Sequence, residues 1–452
     1  MKKINYFSLA FILLFSLTVQ AQTKKWTLDE CVKYAIDNNI SIKQTELDSR
    51  TASIDKKGAV GNFIPSLNSN ASHSWNIGLN QDPTTGLLRN QTTQYSSMGA
   101  GVGVDIYKGM QNQNTLRRAN LSIIAAKYQL TKMQEDVALN VANAFLQVLF
   151  NKENLKVQQD QKAINEKQLL RSEELVKAGS VPRGDLLDIK ATVASDGQRV
   201  VTAENALLIS KLSLSQLLQL KDFYDFDVTD DTSAKDENNI LAQTPIAIYE
   251  KAKEERTELK IAKTNLEIAE KNVAIAKGGL QPTLQGFYNI NTRISYADTF
   301  DFQTGAAQPA ASFGQQFTDN KGQAFGAQLS IPVFNGFAAR NNVERSKVSL
   351  ERSKIAVEQQ ELDLQRNVYT AFTDAKGGLN AYESSLAALD ARQEAYNYAK
   401  EKYAVGMMNS FDFNQSQTLL SIAQSEVLRT KYDYIFKIKI LEFYFGIPIL
   451  KN

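Results

Sequence analysis

The side chains best able to do chemistry are few. The chain has one histidine, His73, and one cysteine, Cys31. A His/Cys metal cluster needs several ligands, and a Ser-His-Asp or Cys-His site needs a histidine beside its nucleophile. Neither chemistry is expected, and no glycine loop suited to cradling a phosphate is present. Carboxylates are abundant, but most sit among helical charges, where a solvated face is the simpler account. Two carboxylates stand out by spacing. The stretches VKAGSVPRGDLL (176–187) and YAVGMMNSFDF (403–413) each interrupt a long helical pattern. Each places an Asp six residues after a Gly: Gly179 with Asp185, and Gly406 with Asp412. A glycine can stop a helix in a left-handed conformation, and a carboxylate suits the first turn of the next helix. The residues thus predict two reversals of direction. They predict no catalytic, cofactor-binding or metal-binding residues.

Long elements must hold these reversals. Between Gly109 and Ala178 nothing breaks a helix, and seventy residues at ~1.5 Å each would span ~105 Å. Leu116, Ile123, Leu130, Val137 and Ala144 recur every seventh residue, as do Val343, Leu350, Val357, Leu364 and Ala371. A strict heptad predicts coiled-coil packing. Shorter helices are expected over about 40–62 and from Asp185 to about 218. Laid end to end, antiparallel to the long helix, they match its length. The chain would reverse at Gly179 and Gly406, at the end farthest from the strands, with Asp185 and Asp412 capping the returning helices.

The two reversals belong to a duplication. Ala35/Ala252, Ala52/Ala269, Ala59/Ala276, Pro65/Pro282 and Leu67/Leu284 share one offset, 217 residues. Gly99/Gly326, Gly109/Gly336, Asp136/Asp363, Ala144/Ala371, Gly179/Gly406 and Asp185/Asp412 share another, 227. The second copy therefore carries ten extra residues between Leu284 and Gly326. The polar stretch TDDTSAKDENNILAQ (229–243) reads as a linker. Copy one starts with a capping box at Thr27 and Glu30, and copy two with Thr244 capping a helix that has Pro245 at its first position.

Each copy carries two strand patterns. Leu67, Ala71, His73, Trp75, Ile77 and Leu79 alternate with Asn68, Asn70, Ser72, Ser74 and Asn76. Met98, Ala100, Val102, Val104 and Ile106 alternate with glycines and polar residues, and copy two repeats both patterns. The strands are long enough for a tilted membrane crossing of ~9–11 residues. His73 shares the aromatic face with Trp75 and is read as an interfacial or packing residue. Four strands cannot close a barrel, and about eight is the practical minimum. Two chains would give eight strands and a filled interior. Three would give twelve and a water-lined hole.

MKKINYFSLAFILLFSLTVQAQ has a basic start, an apolar core and a small-residue cleavage site after Ala21, and reads as a secretory leader. Without Lys2 and Lys3, basic and acidic residues are equal in number, so nucleic acid is not an expected partner. A lone cysteine forms no disulfide within the chain. No later stretch offers eighteen uncharged apolar residues, so no inner-membrane helix is expected.

The tandem duplication, the β-pairs each preceded by Pro, the end-to-end helix lengths and the G-x5-D turn in each half together resemble the TolC family of outer-membrane efflux channels. The resemblance covers essentially the whole mature chain. It implies an α+β membrane protein: a tandem-duplicated protomer with four β-strands and long coiled-coil helices. Three protomers would form a 12-stranded outer-membrane β-barrel continuous with a periplasmic α-helical barrel. Such a channel has no enzymatic activity or cofactor. It serves a tripartite efflux or type I secretion system and projects from the outer membrane into the periplasm. Its implied partners are outer-membrane lipid, a periplasmic membrane-fusion adaptor and an inner-membrane pump of the RND, ABC or MFS type.

By the same resemblance, Asp412 and Gln415 fall at the pore constriction, Gln415 where a second acidic ring would be expected. Asp185, Tyr403 and Met408 fall where links hold the entrance closed, Met408 replacing an Arg. Gly179, Ser180, Val181, Gly406 and Met407 are expected adaptor contacts. The expected organisation is a leader (1–21), a first repeat (22–228), a linker (229–244) and a second repeat (245–452). Strands are expected at about 66–79, 95–107, 283–297 and 323–334, and long helices at about 109–178 and 336–405. A periplasmic coiled-coil scaffold or adaptor without a pore is the alternative reading.

Overall fold

The computed structural model describes residues 25–81, 86–221, 226–230, 239–301 and 303–448. The expected leader and the middle of the expected linker lie outside them. Copy one runs through β1 (Lys25–Trp26), α1 (Leu28–Asn38), α2 (Ile40–Gly61), β2 (Ser66–Gln81), β3 (Leu88–Lys108), α3 (Gln111–Lys177) and α4 (Arg183–Leu218). The short strand β4 (Asp227–Val228) follows. Copy two runs through α5 (Pro245–Glu255), α6 (Thr257–Gly278), β5 (Thr283–Ser295), β6 (Thr299–Phe300), β7 (Ala307–Gln308), α7 (Phe313–Asp319), β8 (Gly322–Ser330), α8 (Ala338–Ala404) and α9 (Ser410–Tyr444). Shifted by 217, the bounds of α1 and α2 become those of α5 and α6. Shifted by 227, α3 becomes α8. The duplication is built into the fold, and its ten surplus residues fall in the connection that carries β6, β7 and α7.

Local chemistry sets the helix starts. Thr27 and Glu30 form the reciprocal capping box, with bonds of 3.3 and 3.1 Å. The Thr244 hydroxyl accepts from the Ala247 amide, and Pro245 occupies the first helical position.

One compact unit holds residues 47–127 and 261–358 and contains the main sheet. Its antiparallel strands stand in the order β2-β3-β5-β8. The two hairpins share a register: Ser66 pairs with Gly103, and Thr283, its counterpart, pairs with Ser330. Alternation then sorts the faces row by row. Leu67, Val102, Tyr288 and Phe325 form one row, and Asn68, Gly101, Asn289 and Ala324 form the next on the opposite face. β3 starts seven residues earlier than the pattern suggests, because the hairpin keeps Leu88–Gln94 paired with Trp75–Gln81. The apolar alternation ends before the pairing does.

The other unit holds the described residues among 25–46, 128–260 and 359–448. Its core gathers Cys31, Val32 and Ala35 of α1 with Val141, Phe145 and Leu149 of α3, Leu214 and Leu218 of α4, and Ile435 of α9. β1 and β4 pair in parallel. Arg256, 3% exposed, pairs with Glu135 and Glu258 at 3.0 Å each and lies 3.7 Å over the Phe443 ring. Burial nevertheless holds the Glu135 pKa above the usual carboxylate value, against the lowering charge of Arg256. Among the described residues, no helix is long and apolar enough to cross a membrane.

Candidate functional site

Two features could serve a conduit: the reversals between long helices, and the polar face of the sheet. Each lies within one compact unit.

Both reversals use the same backbone device. Gly179 has φ 69° and Gly406 φ 78°. The Gly179 amide donates to the Val176 carbonyl and the Ser180 amide to the Leu175 carbonyl. Gly406 donates to Tyr403, and Met407 to Lys402. These are paired Schellman bonds, which need a left-handed residue that glycine supplies without strain.

The aspartates are not the caps. α4 begins at Arg183 behind Pro182, which makes no side-chain cap, and α9 is capped by Asn409. The Asn409 Oδ1 accepts from the Asp412 amide at 2.8 Å, while its Nδ2 donates to the Asp412 carboxylate at 2.9 Å. Asp185 and Asp412 are third residues of their helices. At the second reversal Asn409, three positions upstream of Asp412, reaches the free amide first. Both carboxylates still suit the positive end of the helix.

The second reversal has an aromatic anchor. Phe413 is buried and stacks on Tyr403, with centroids 4.6 Å apart, and on Tyr396 at 5.8 Å. Burial pushes the Tyr396 pKa up. The Tyr403 hydroxyl accepts from Gln168 Nε2 at 2.8 Å, linking α8 to α3 within one chain. Met408 is half-buried, while Asp412 and Gln415 are exposed. Gly179, Ser180 and Gly406 are exposed and Val181 half-buried, and Met407 is 75% exposed. Sequence reasoning missed Gln168, Asn409 and the exposed Val405 and Phe411 beside Met407. An Asn three residues before a helical Asp was a readable signal for Asn409. Nothing local marks Gln168.

On the sheet, the polar face forms a trough lined by Asn68, Asn70, Asn289, Asn291 and the glycines of β3. Among its described residues it carries no formal charge between Asp105, which pairs with Lys108 at 2.8 Å, and Arg293. Arg293 lies 4.1 Å over the Tyr95 ring. The opposite face is apolar and exposed at Leu67, Trp75, Ile77, Leu79 and Phe325. His73 packs there against Trp75 and accepts or donates a bond with Ser96 at 2.8 Å, so it is a packing residue. An apolar outer band with aromatic residues and a polar inner face is the patterning of a strand between lipid and water.

The model of the outer membrane efflux protein family matches residues 32–219 and 248–439, one segment per repeat. The chain belongs to that family. It is an outer-membrane efflux channel, and its family and fold are those of passive channels rather than of enzymes. Outer membrane protein TolC of Vibrio cholerae is 22% identical over 322 residues, covering 69% of this chain and 68% of that protein. Outer membrane efflux protein BepC of Brucella suis is 22% identical over 428 residues, covering 93% and 85%. The CmeC outer membrane channel of Campylobacter jejuni superposes with a TM-score of 0.75 at 17% identity, covering 93% of this chain and 85% of that one. These relatives favour the channel over a pore-free scaffold. Among the described residues of this channel, no cluster of His, Cys, Asp and Glu could hold a metal ion.

Proposed function

We propose that three copies of this chain form the exit duct of a tripartite efflux or type I secretion system. The observation that carries this reading is the open sheet. β2 and β8 stand at its edges, one face is polar and uncharged between Asp105 and Arg293, and the other is apolar and exposed. Among the described residues neither β2 nor β8 has a strand partner on its outer side. In lipid an unpaired edge costs several kcal/mol for each unsatisfied group, so only a closed barrel is stable there. Three protomers supply twelve strands, enough to leave a water-filled hole lined by the Asn-rich face. The family relationship supports the same assembly.

The reversals would form the periplasmic entrance, with Asp412 and Gln415 facing the pore. Asp185, Tyr403 and Met408 would contribute to closing it. The exposed apolar tip at Val405, Met407 and Phe411, with Gly179, Ser180, Val181 and Gly406, would meet a periplasmic adaptor that hands cargo from an inner-membrane pump of the RND, ABC or MFS type. Exposed apolar residues clustered at one tip fit a protein–protein contact. End-on imaging of the detergent-purified protein should give hollow, three-fold particles, and compact particles or two-stranded rods would sink the reading. Three Asp412 carboxylates around one axis would favour cations. Asp412→Asn should therefore lower the K⁺/Cl⁻ permeability ratio in single-channel recordings, and an unchanged ratio would remove Asp412 from the constriction.

A further inference from the structure

The two repeats treat the apolar face of the sheet differently at its hairpin end. Trp75, Ile77 and Leu79 of β2 leave 60%, 83% and 68% of their surface bare. Shifted by 217, these positions become Thr292, Ile294 and Tyr296. Thr292 and Ile294 are buried, 6% and 0% exposed. One stripe is thus open in copy one and covered in copy two. The cover comes from the connection that carries the ten surplus residues, where α7 packs on β5. The Thr292 hydroxyl, on the apolar face, donates to the Phe317 carbonyl of α7 at 3.2 Å.

Helix α7 also stands in for a missing piece of strand. β3 accompanies β5 as far as the pair Tyr95–Ser295, but β8 on the other side reaches only Asn291, which pairs with Gly322. Beyond Asn291 side-chain amides replace the strand. Asn320 Nδ2 donates to the Arg293 carbonyl at 2.6 Å. Gln316 Nε2 donates to the Ser295 carbonyl, and Gln316 Oε1 accepts from the Ser295 amide, both at 2.9 Å. In lipid an unpaired backbone group is costly, and these bonds remove the cost without a strand. They also fix where α7 lies.

The apolar surface that α7 covers reappears on α7 itself. Phe313 and Phe317 stack with their rings 15° from parallel, and they stay 47% and 37% exposed. The level is marked by Trp75 and Tyr296, which share a row through Gln94. Aromatic residues at such a level of a membrane sheet sit where acyl chains meet headgroups. Lys321, exposed and without an ion-pair partner among the described residues, holds its ammonium 5.6 Å from the Phe317 ring. A long cationic side chain beside an apolar surface keeps its stem in that surface and its charge in the headgroup layer.

We propose that α7 is a lipid-contacting foot on the outside of the sheet, with Phe313 and Phe317 seated among the acyl chains of the outer leaflet. Continuity with the bare stripe of β2 identifies the occupant, since α7 overlies the position at which copy one presents Trp75 and Ile77. The inference rests on the channel reading for the lipid around the sheet, and adds a contact that only the second repeat makes.

The test is spin-label accessibility in the full chain, reconstituted in vesicles of phosphatidylcholine and phosphatidylglycerol. Nitroxides are placed singly at Phe313→Cys and Phe317→Cys, with Ile77→Cys as the lipid reference and Asn289→Cys as the reference on the polar face. Cys31 is buried, and the parent protein checks that it takes no label. At both α7 positions the ratio of oxygen to nickel-chelate accessibility should come within about two-fold of Ile77→Cys and at least about five-fold above Asn289→Cys, because oxygen enters acyl chains and a polar chelate does not. Phe313→Trp, which keeps an aromatic ring, should also be quenched by brominated phosphatidylcholine beyond the quenching of Trp26 and Trp75 in the parent. A ratio like that of Asn289→Cys would put α7 in water, and low accessibility to both reagents would put it against protein. Either result, or no added quenching, would overturn the foot and leave the channel. An Ile77→Cys label open to the chelate would remove lipid from the apolar face and overturn the channel reading together with this proposal.

Discussion

The two helical reversals share a backbone and differ in what holds it. Each ends its long helix with the same pair of Schellman bonds around a left-handed glycine. Around Gly406 the chain adds Asn409 as a cap, Phe413 as a buried anchor and Tyr403 bonded to Gln168. The matching positions around Gly179 hold Pro182, Leu186 and Val176, with no side-chain cap. Duplication preserved the residue that the backbone conformation requires. It left the side chains free to diverge, so that the second reversal carries an Asn cap, an aromatic stack and a long-range bond whose matching positions in the first hold Pro182, Leu186 and Val176.

The largest break in this contrast should come from Phe413→Ala. Removing a buried aromatic typically costs ~3–5 kcal/mol. Amide exchange across 403–415 should quicken far more than exchange across 176–188 does in Leu186→Ala, whose side chain is only half-buried. Equal effects would mean the aromatic stack does not anchor the reversal. Gly406→Ala and Gly179→Ala should each cost ~1–2 kcal/mol from the left-handed backbone, and by similar amounts, because the bonds around them match. A large difference would show that one glycine is held open by something beyond its own turn.

Asn409→Ala should cost ~1 kcal/mol of local stability. Pro182→Asn, which brings the same cap to the first reversal, should slow exchange there, and failure to do so would mean the cap is not what separates the two. The smallest effect is expected from Tyr403→Phe, which removes one hydrogen bond worth ~0.5–1.5 kcal/mol. Where that bond helps to close the entrance, single-channel recordings should show a larger or more frequent open state. Unchanged gating would limit Tyr403 to packing on Phe413.

Much of this was legible in one sequence because much of it is local or periodic. The glycine stops, the Thr27 capping box, Pro245 at a helix start and the alternation on β2 obey rules that span only a few residues. The alternation understated β3, whose outer part is fixed by its partner strand rather than by its own pattern. The aspartates were assigned as caps from type and position, and the nearer Asn409 took that role. Gln168 could not be assigned to Tyr403, since 235 residues separate them.

The sequence by itself determined the duplication, its two offsets, the four strands and their faces, and the places where the long helices reverse. Each of these is a matter of spacing along the chain. Tertiary structure decided the strand order β2-β3-β5-β8, the common register of the hairpins, and which of the repeated stripes is covered. Those depend on contacts between residues far apart in sequence. Thr257 and Ile40 occupy the same place in the two copies, yet one is buried and the other exposed. Periodicity shows that a face exists, and only packing shows what lies against it.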